Sequence, residues 1–191
     1  MYEGMEMRKV LVEELVKYMK DNDNIIVLDA DLGKASGTIA IKDRTNNRHF
    51  EAGIAEANMV SIAAGLSSYG FIPFVSSFTP FATRRVADQI AISCAYAKQN
   101  VRIIGTDPGI AAEYNGGTHM SMEDVAIVRG IPNVVIFEPV DKTMLVKAMP
   151  SILEFNGTMY IRLWRKNATD IFDDNYKFDL FKGDMVKVGK D

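Results

Sequence analysis

The sequence predicts an α/β protein in three layers, α/β/α, with a mostly parallel sheet covered by helices on both faces. Three observations predict it. Short apolar runs such as Ile25–Leu28 and Val134–Phe137 are continuous rather than alternating, as strands buried on both faces must be. Between them lie stretches whose apolar residues recur at helical spacing, and glycine or proline punctuates many of the joints.

Taken in order, Val10, Leu11, Leu15, Val16 and Met19 share one helical face and lead into a strand at 25–28. Residues 58–69 read as a helix closed by Gly70, 71–75 as a strand, 81–98 as one long helix and 101–105 as a strand. After a glycine-rich loop come a helix at 122–129, a strand at 134–137, a helix at 142–153 and a strand at 159–163. We expect one domain over 1–169. The tail, 170–191, reads as an arm anchored by Phe172, Tyr176, Phe178 and Phe181 that leads toward a linker.

The composition narrows the function classes. A chain of 191 residues with 48% hydrophobic content buries one substantial core. Its formal charge of -3 is spread in mixed signs, with no basic block for nucleic acid and no polybasic or lipidation signal for a membrane. One cysteine, Cys94, excludes an internal disulfide and reads as a buried, inert thiol, which fits a cytoplasmic protein.

Several familiar motifs fail inspection. Gly33-Lys34-Ala35-Ser36 lacks the first glycine of a phosphate loop and has alanine where a hydroxyl should follow the lysine. There is no G-x-G-x-x-G for a nicotinamide cofactor, and His49, His119 and Cys94 show no zinc spacing.

The informative segment runs from Glu51 through Gly53 into a helix with Glu56 near its start. Position alone explains an acid there, because it complements the helix dipole. The company it keeps adds more. Gly53-Ile54-Ala55-Glu56 is followed by Ala63-Ala64-Gly65-Leu66, Phe71-Ile72-Pro73-Phe74, Ser76-Ser77-Phe78-Thr79-Pro80-Phe81 and Ala87-Asp88-Gln89-Ile90. Then come Gly116-Gly117-Thr118-His119, Ile131-Pro132-Asn133 and Glu138-Pro139. In this order and spacing, from Arg8 to about Arg165, the chain resembles the pyrimidine-binding domain of transketolases.

The resemblance implies one half of a thiamine-diphosphate site. Glu56 matches the glutamate that donates to the aminopyrimidine ring nitrogen, so it should hold a proton, and burial against apolar surface would favour that form. Phe78 and Phe81, which periodicity alone would also allow as core aromatics, match the pyrimidine pocket. Ile54 matches a residue pressing on the bent cofactor, and Asp31 an aspartate near the thiazolium. His119 matches a histidine on the donor sugar's hydroxyls. Arg8, Ser36 and Arg165 match phosphate-binding positions, Ser36 with a one-residue shift because Ala35 holds the strict place. Two departures concern the substrate. Asp107 stands where transketolases usually carry a second histidine, and Asn115 where they carry an aspartate.

The Gly-Asp-Gly and paired asparagines that hold metal and diphosphate in such enzymes are missing, since Gly183-Asp184-Met185 lacks the second glycine. We therefore expect no metal ligand here. Thiamine diphosphate and its Mg2+ (or Ca2+) should be held by an amino-terminal transketolase subunit. The chain is then the carboxyl-terminal subunit of a split transketolase, cut before a third domain, homodimeric through this domain and active on sugar phosphates. The β subunit of a 2-oxo acid dehydrogenase, a deoxyxylulose-phosphate synthase and a non-catalytic interaction domain are the alternatives.

Overall fold

The computed structural model describes residues 2–189; residues 1, 190 and 191, which fall at the ends of the expected domain and arm, lie outside the described residues. Six strands form one parallel sheet: β1 (Ile25–Asp29), β2 (His49–Glu51), β3 (Ile72–Phe78), β4 (Arg102–Thr106), β5 (Val134–Phe137) and β6 (Thr158–Leu163). Their spatial order is β2-β1-β3-β4-β6-β5. Every pair is parallel, with Leu28 opposite Val75 and Ser76 opposite Ile104.

Side chains leave a strand on alternate faces, so each strand feeds two cores. On one face Ile25, Val27, Phe74, Ile104, Met159 and Ile161 pack under helices α1 (Met7–Met19) and α6 (Lys142–Glu154). On the other, Ile26, Leu28, Val75, Ile103 and Tyr160 pack under α3 (Glu56–Ser68), a π-helix (Gln89–Tyr96) and α5 (Asp124–Arg129). The three-layer architecture is as the sequence predicts. Tyr160 crosses beneath β4 at Gly105, where an added Cβ would sit 2.6 Å from the phenol oxygen, so only glycine fits.

Three elements differ from expectation. The long helix at 81–98 is broken into α4 (Thr79–Ala82), a 3-10 turn (Arg84–Val86) and the π-helix, with Thr83 at φ -129°, ψ -79° as the break. Threonine hydroxyls account for the local geometry: Thr79 Oγ1 donates to Thr106 O at 2.8 Å and Thr83 Oγ1 to Thr79 O at 2.7 Å. Strand β3 runs on through Ser76, Ser77 and Phe78, which the sequence placed just beyond the strand. Residues 33–44, to which the sequence reading assigned no element, form α2 (Gly33–Ser36) and a 3-10 helix (Thr38–Arg44).

Strand β2 lies on one side of β1 and β3 on the other, so the loops after β1 and β3 diverge. Such a divergence opens a crevice beyond the carboxyl ends of parallel strands, where ligands bind in open α/β sheets.

Candidate functional site

Glu56 opens α3 in that crevice. Gly53, at φ 73°, turns the chain out of β2; no side chain caps the helix, and Glu56 is the acid of its first turn, where a negative charge complements the dipole. The Glu51 carboxylate steadies the approach: its Oε1 accepts from the N–H of Asp31 at 2.6 Å and of Gly53 at 2.9 Å. Glu56 is 4% exposed, but its neighbourhood is not the apolar wall expected. Arg85 reaches in, and its Nη1 lies 2.6 Å from Glu56 Oε1. Arg85 lies in the 3-10 turn that follows the break at Thr83, and it lays its guanidinium 3.9 Å from the Phe81 centroid.

Phe78, Phe81 and His119 form an edge-to-face trio. Ring centroids are 6.3 Å apart for Phe78–Phe81, 5.3 Å for Phe78–His119 and 5.1 Å for Phe81–His119. Phe78 ends β3, Phe81 lies in α4, and the glycine loop returns His119 to both, its Nδ1 2.9 Å from Thr118 Oγ1. A cleft of about 430 Å³ is lined by Pro80, Phe81, Arg84, Arg85, Thr118 and His119.

Beyond Phe78 lies a second charged pair. Arg165 follows β6, its guanidinium 5.3 Å from the Phe78 centroid and its Nη2 2.7 Å from Asp107 Oδ2. Asp107 is wholly buried at φ 54° just past β4, and neither of its oxygens has an aligned hydrogen-bond donor. Burial pushes its pKa up, against the pull of Arg165, Lys166 and Arg8. The structure thus brings Glu56, Phe81, His119, Phe78 and Arg165 into one continuous line, joined by Arg85.

The remaining candidates stand apart from that line. Arg8 joins it through the backbone, its N–H donating to Arg165 O at 3.4 Å, while its side chain bonds Glu6 and the carbonyl of Ala35. Ser36 turns inward: its Oγ is 2.7 Å from Thr38 Oγ1 and 3.3 Å from Asp29 Oδ1. Asp31 is exposed at φ 60° beyond β1, Ile54 is 77% exposed before α3, and Asn115 is exposed at the end of the 3-10 helix Gly109–Asn115. Sequence reasoning missed Arg85, although the Arg84-Arg85 pair one turn beyond Phe81 was the available signal. Asp29, the last residue of β1, is buried, accepts from Thr38 and lies 2.7 Å from His49 Nε2, fixing the loop between β1 and β2.

A flat heteroaromatic ring fits the Phe81 face, and the buried Glu56 carboxyl lies within reach, where only its carboxylic-acid form would donate to a ring nitrogen. No group of three His, Cys, Asp or Glu side chains suited to a metal occurs among the described residues. Nor is any helix among them long and apolar enough to cross a membrane.

The family model described as "Transketolase, pyrimidine binding domain" matches residues 3–170. A 6-deoxy-6-sulfo-D-fructose transketolase subunit, SqwH, of Clostridium sp. (strain MSTE9) is 48% identical over 97% of this chain and 58% of its own length. A putative transketolase C-terminal section of Methanocaldococcus jannaschii is 38% identical over 100% of this chain and 60% of its own. The structure described as "Split gene transketolase, inactive beta4 tetramer" superposes with a TM-score of 0.85 at 37% identity, covering 98% of this chain and 61% of that one. The chain thus spans about three-fifths of the length of these relatives. A buried acid opening α3, an aromatic cleft at the strand ends and a family match over 3–170 agree, and the chain belongs to the transketolase pyrimidine-binding domain family.

Proposed function

We propose that this chain supplies the aminopyrimidine-binding half of a thiamine-diphosphate site for two-carbon ketol transfer between sugars that carry a terminal oxyanion. The observation that carries this reading is the unbroken line from Glu56 through Phe81 and His119 to Arg165, beyond the ends of β2, β3 and β6. When bound, the cofactor supplies the carbon nucleophile. Glu56 donates a hydrogen bond to the aminopyrimidine ring nitrogen, Phe81 and Phe78 give it an apolar bed, and Ile54 presses from the helix entrance. His119 takes the donor's hydroxyls, and Asn115, at the end of its 3-10 helix, is a second candidate partner for them. Arg165 and Arg8 hold the terminal oxyanion, for which a guanidinium fork is well shaped. Ser36 contributes to the loop fold and not to that contact, because its hydroxyl is committed inward. Asp31 stands at the mouth beyond β1, toward the thiazolium.

The diphosphate and its Mg2+ belong, in this reading, to a separate amino-terminal subunit, and the assembly is cytoplasmic. In the same reading the domain of this chain spans 1–169, with 170–191 a separate arm. The solved relative described as an inactive assembly of β subunits supports the division of labour. The name of the 48% identical relative favours a specific variant, in which the donor's oxyanion is a sulfonate rather than a phosphate. Both are tetrahedral oxyanions that the same arginines would read.

The test uses the full-length subunit, its diphosphate-binding partner, thiamine diphosphate and magnesium. Transfer from xylulose 5-phosphate and from 6-deoxy-6-sulfo-D-fructose to an aldose phosphate is measured, with each subunit omitted in turn. Activity that needs both subunits is expected, and Glu56→Ala should lower it by roughly 10²–10⁴-fold with an unchanged circular dichroism spectrum. Wild-type turnover by that variant would sink the reading. Turnover of a 2-oxo acid in place of sugars would keep the cofactor and discard ketol transfer.

A further inference from the structure

Resting on that reading, we propose that Arg85 is the resident counter-ion of Glu56 and that cofactor entry exchanges it for a proton. Three facts carry the inference. Arg85 Nη1 is 2.6 Å from Glu56 Oε1, its guanidinium centre is 3.9 Å from the Phe81 centroid, and it helps line the 430 Å³ cleft. Arg85 therefore covers the ring face and engages the carboxyl oxygen that a heteroaromatic ring would need. Glu56 enters an ion pair as a carboxylate, which only accepts hydrogen bonds, whereas a pyrimidine nitrogen also accepts. Two acceptors do not bond. One proton must be added, and the guanidinium must withdraw from the ring.

No other charge around α3 can substitute. Of the elements packed against it, β3 and the π-helix carry no charged residue. Strand β1 carries only Asp29, already engaged by Thr38 and His49, and the 3-10 turn carries Arg84, held by Glu123 at 2.6 Å, besides Arg85 itself. His119 packs edge-to-face on Phe81 with ring centroids 5.1 Å apart, and its Nδ1 pairs with Thr118. The balance is simple: the carboxylate takes one proton from solvent as the cofactor seats, and Arg85, already 46% exposed in its side chain, keeps its charge and swings into water. Before the cofactor arrives, the ion pair protects a buried acid from standing alone.

The test is calorimetric and needs no turnover. Thiamine diphosphate is titrated, with magnesium at a fixed concentration, into the mixed full-length subunits in buffers of different ionisation heat. The slope gives the protons taken up on binding. Proton exchange by the diphosphate is common to all variants, so differences report on this site. Arg85→Met leaves a buried carboxyl without its cation, which favours the protonated form beforehand, so this variant should take up about one proton fewer than wild type. Glu56→Gln, whose amide donates to the ring nitrogen without a proton, should show the same deficit and keeps the test open if the Arg85 variant folds poorly. Equal counts in wild type and either variant overturn the exchange while leaving the cofactor reading intact. Absence of any binding heat in wild type overturns both.

Discussion

Asp107 shows how a single buried residue sets the local energetics beside Arg165. It lies fully buried against Arg165, and desolvation raises its pKa more than the cations Arg165, Lys166 and Arg8 lower it. The sign of the linkage follows. The folded carboxyl binds its proton more tightly than the unfolded one, so its contribution is complete below the ordinary value of 3.8 and is lost as pH rises through the raised folded value. Asp107→Asn removes that titration. Wild type should therefore lose urea stability relative to Asp107→Asn as pH is raised from about 3.8 toward neutrality, and flat differences across that range would refute the assignment. The contrast with Cys94 is instructive, since burial also pushes that thiol up, to about 12, but no charged partner faces it, so it stays an inert core residue.

At the scale of elements, the ends of α6 are held by buried charges. Arg102, fully buried at the start of β4, donates to the carbonyls of Ile152, Phe155 and Gly157 and so closes the carboxyl end of the helix. At the other end Asp141 accepts from Met144 N–H at 2.7 Å, and its second oxygen accepts from the N–H groups of Ile171 at 2.8 Å and Phe172 at 2.7 Å. One side chain thus caps the helix and ties down the arm, whose Phe178 then packs on Phe137. Asp141→Ala should cost about 1–2 kcal/mol from the cap and expose residues 166–175 to limited proteolysis; an unchanged cleavage pattern would show that the arm is held elsewhere. The alternation of helices and strands was legible because each buried run and each helical face is a local pattern. The break at Thr83 was not, because it depends on a hydroxyl bond from Thr79 to Thr106, a residue 27 positions away. The same distinction divides the site: Phe78, Phe81 and His119 could be matched as motifs, whereas the pairing of Arg85 with Glu56 and the inward turn of Ser36 are contacts that only the folded chain displays.

Taken as a whole molecule, the chain leaves one helical layer unfinished. The outer surface of α3 and the adjoining π-helix exposes Ile62, Ile92 and Tyr96, with Ile54 at the entrance to α3. Apolar side chains gathered on neighbouring helices are what a protein interface buries, and a stable one needs roughly 1,200–2,000 Å² in total. A second copy of the same chain is the economical occupant, because a two-fold axis lets a self-complementary apolar face cover itself. The consequence reaches the cleft, since Glu56 begins the helix that would lie at this boundary, so pairing of subunits would fix the position of its carboxyl. A charge placed in such an interface appears twice across the axis and is desolvated against itself. Ile92→Asp should therefore convert the protein to a monomer in sedimentation equilibrium without altering its circular dichroism, while the same substitution at Ile110, exposed in the 3-10 helix beyond β4, should leave association unchanged. A wild-type chain that is monomeric at tens of micromolar, or an Ile92→Asp variant that still associates, would move the interface to another face and leave Glu56 positioned by its own fold alone.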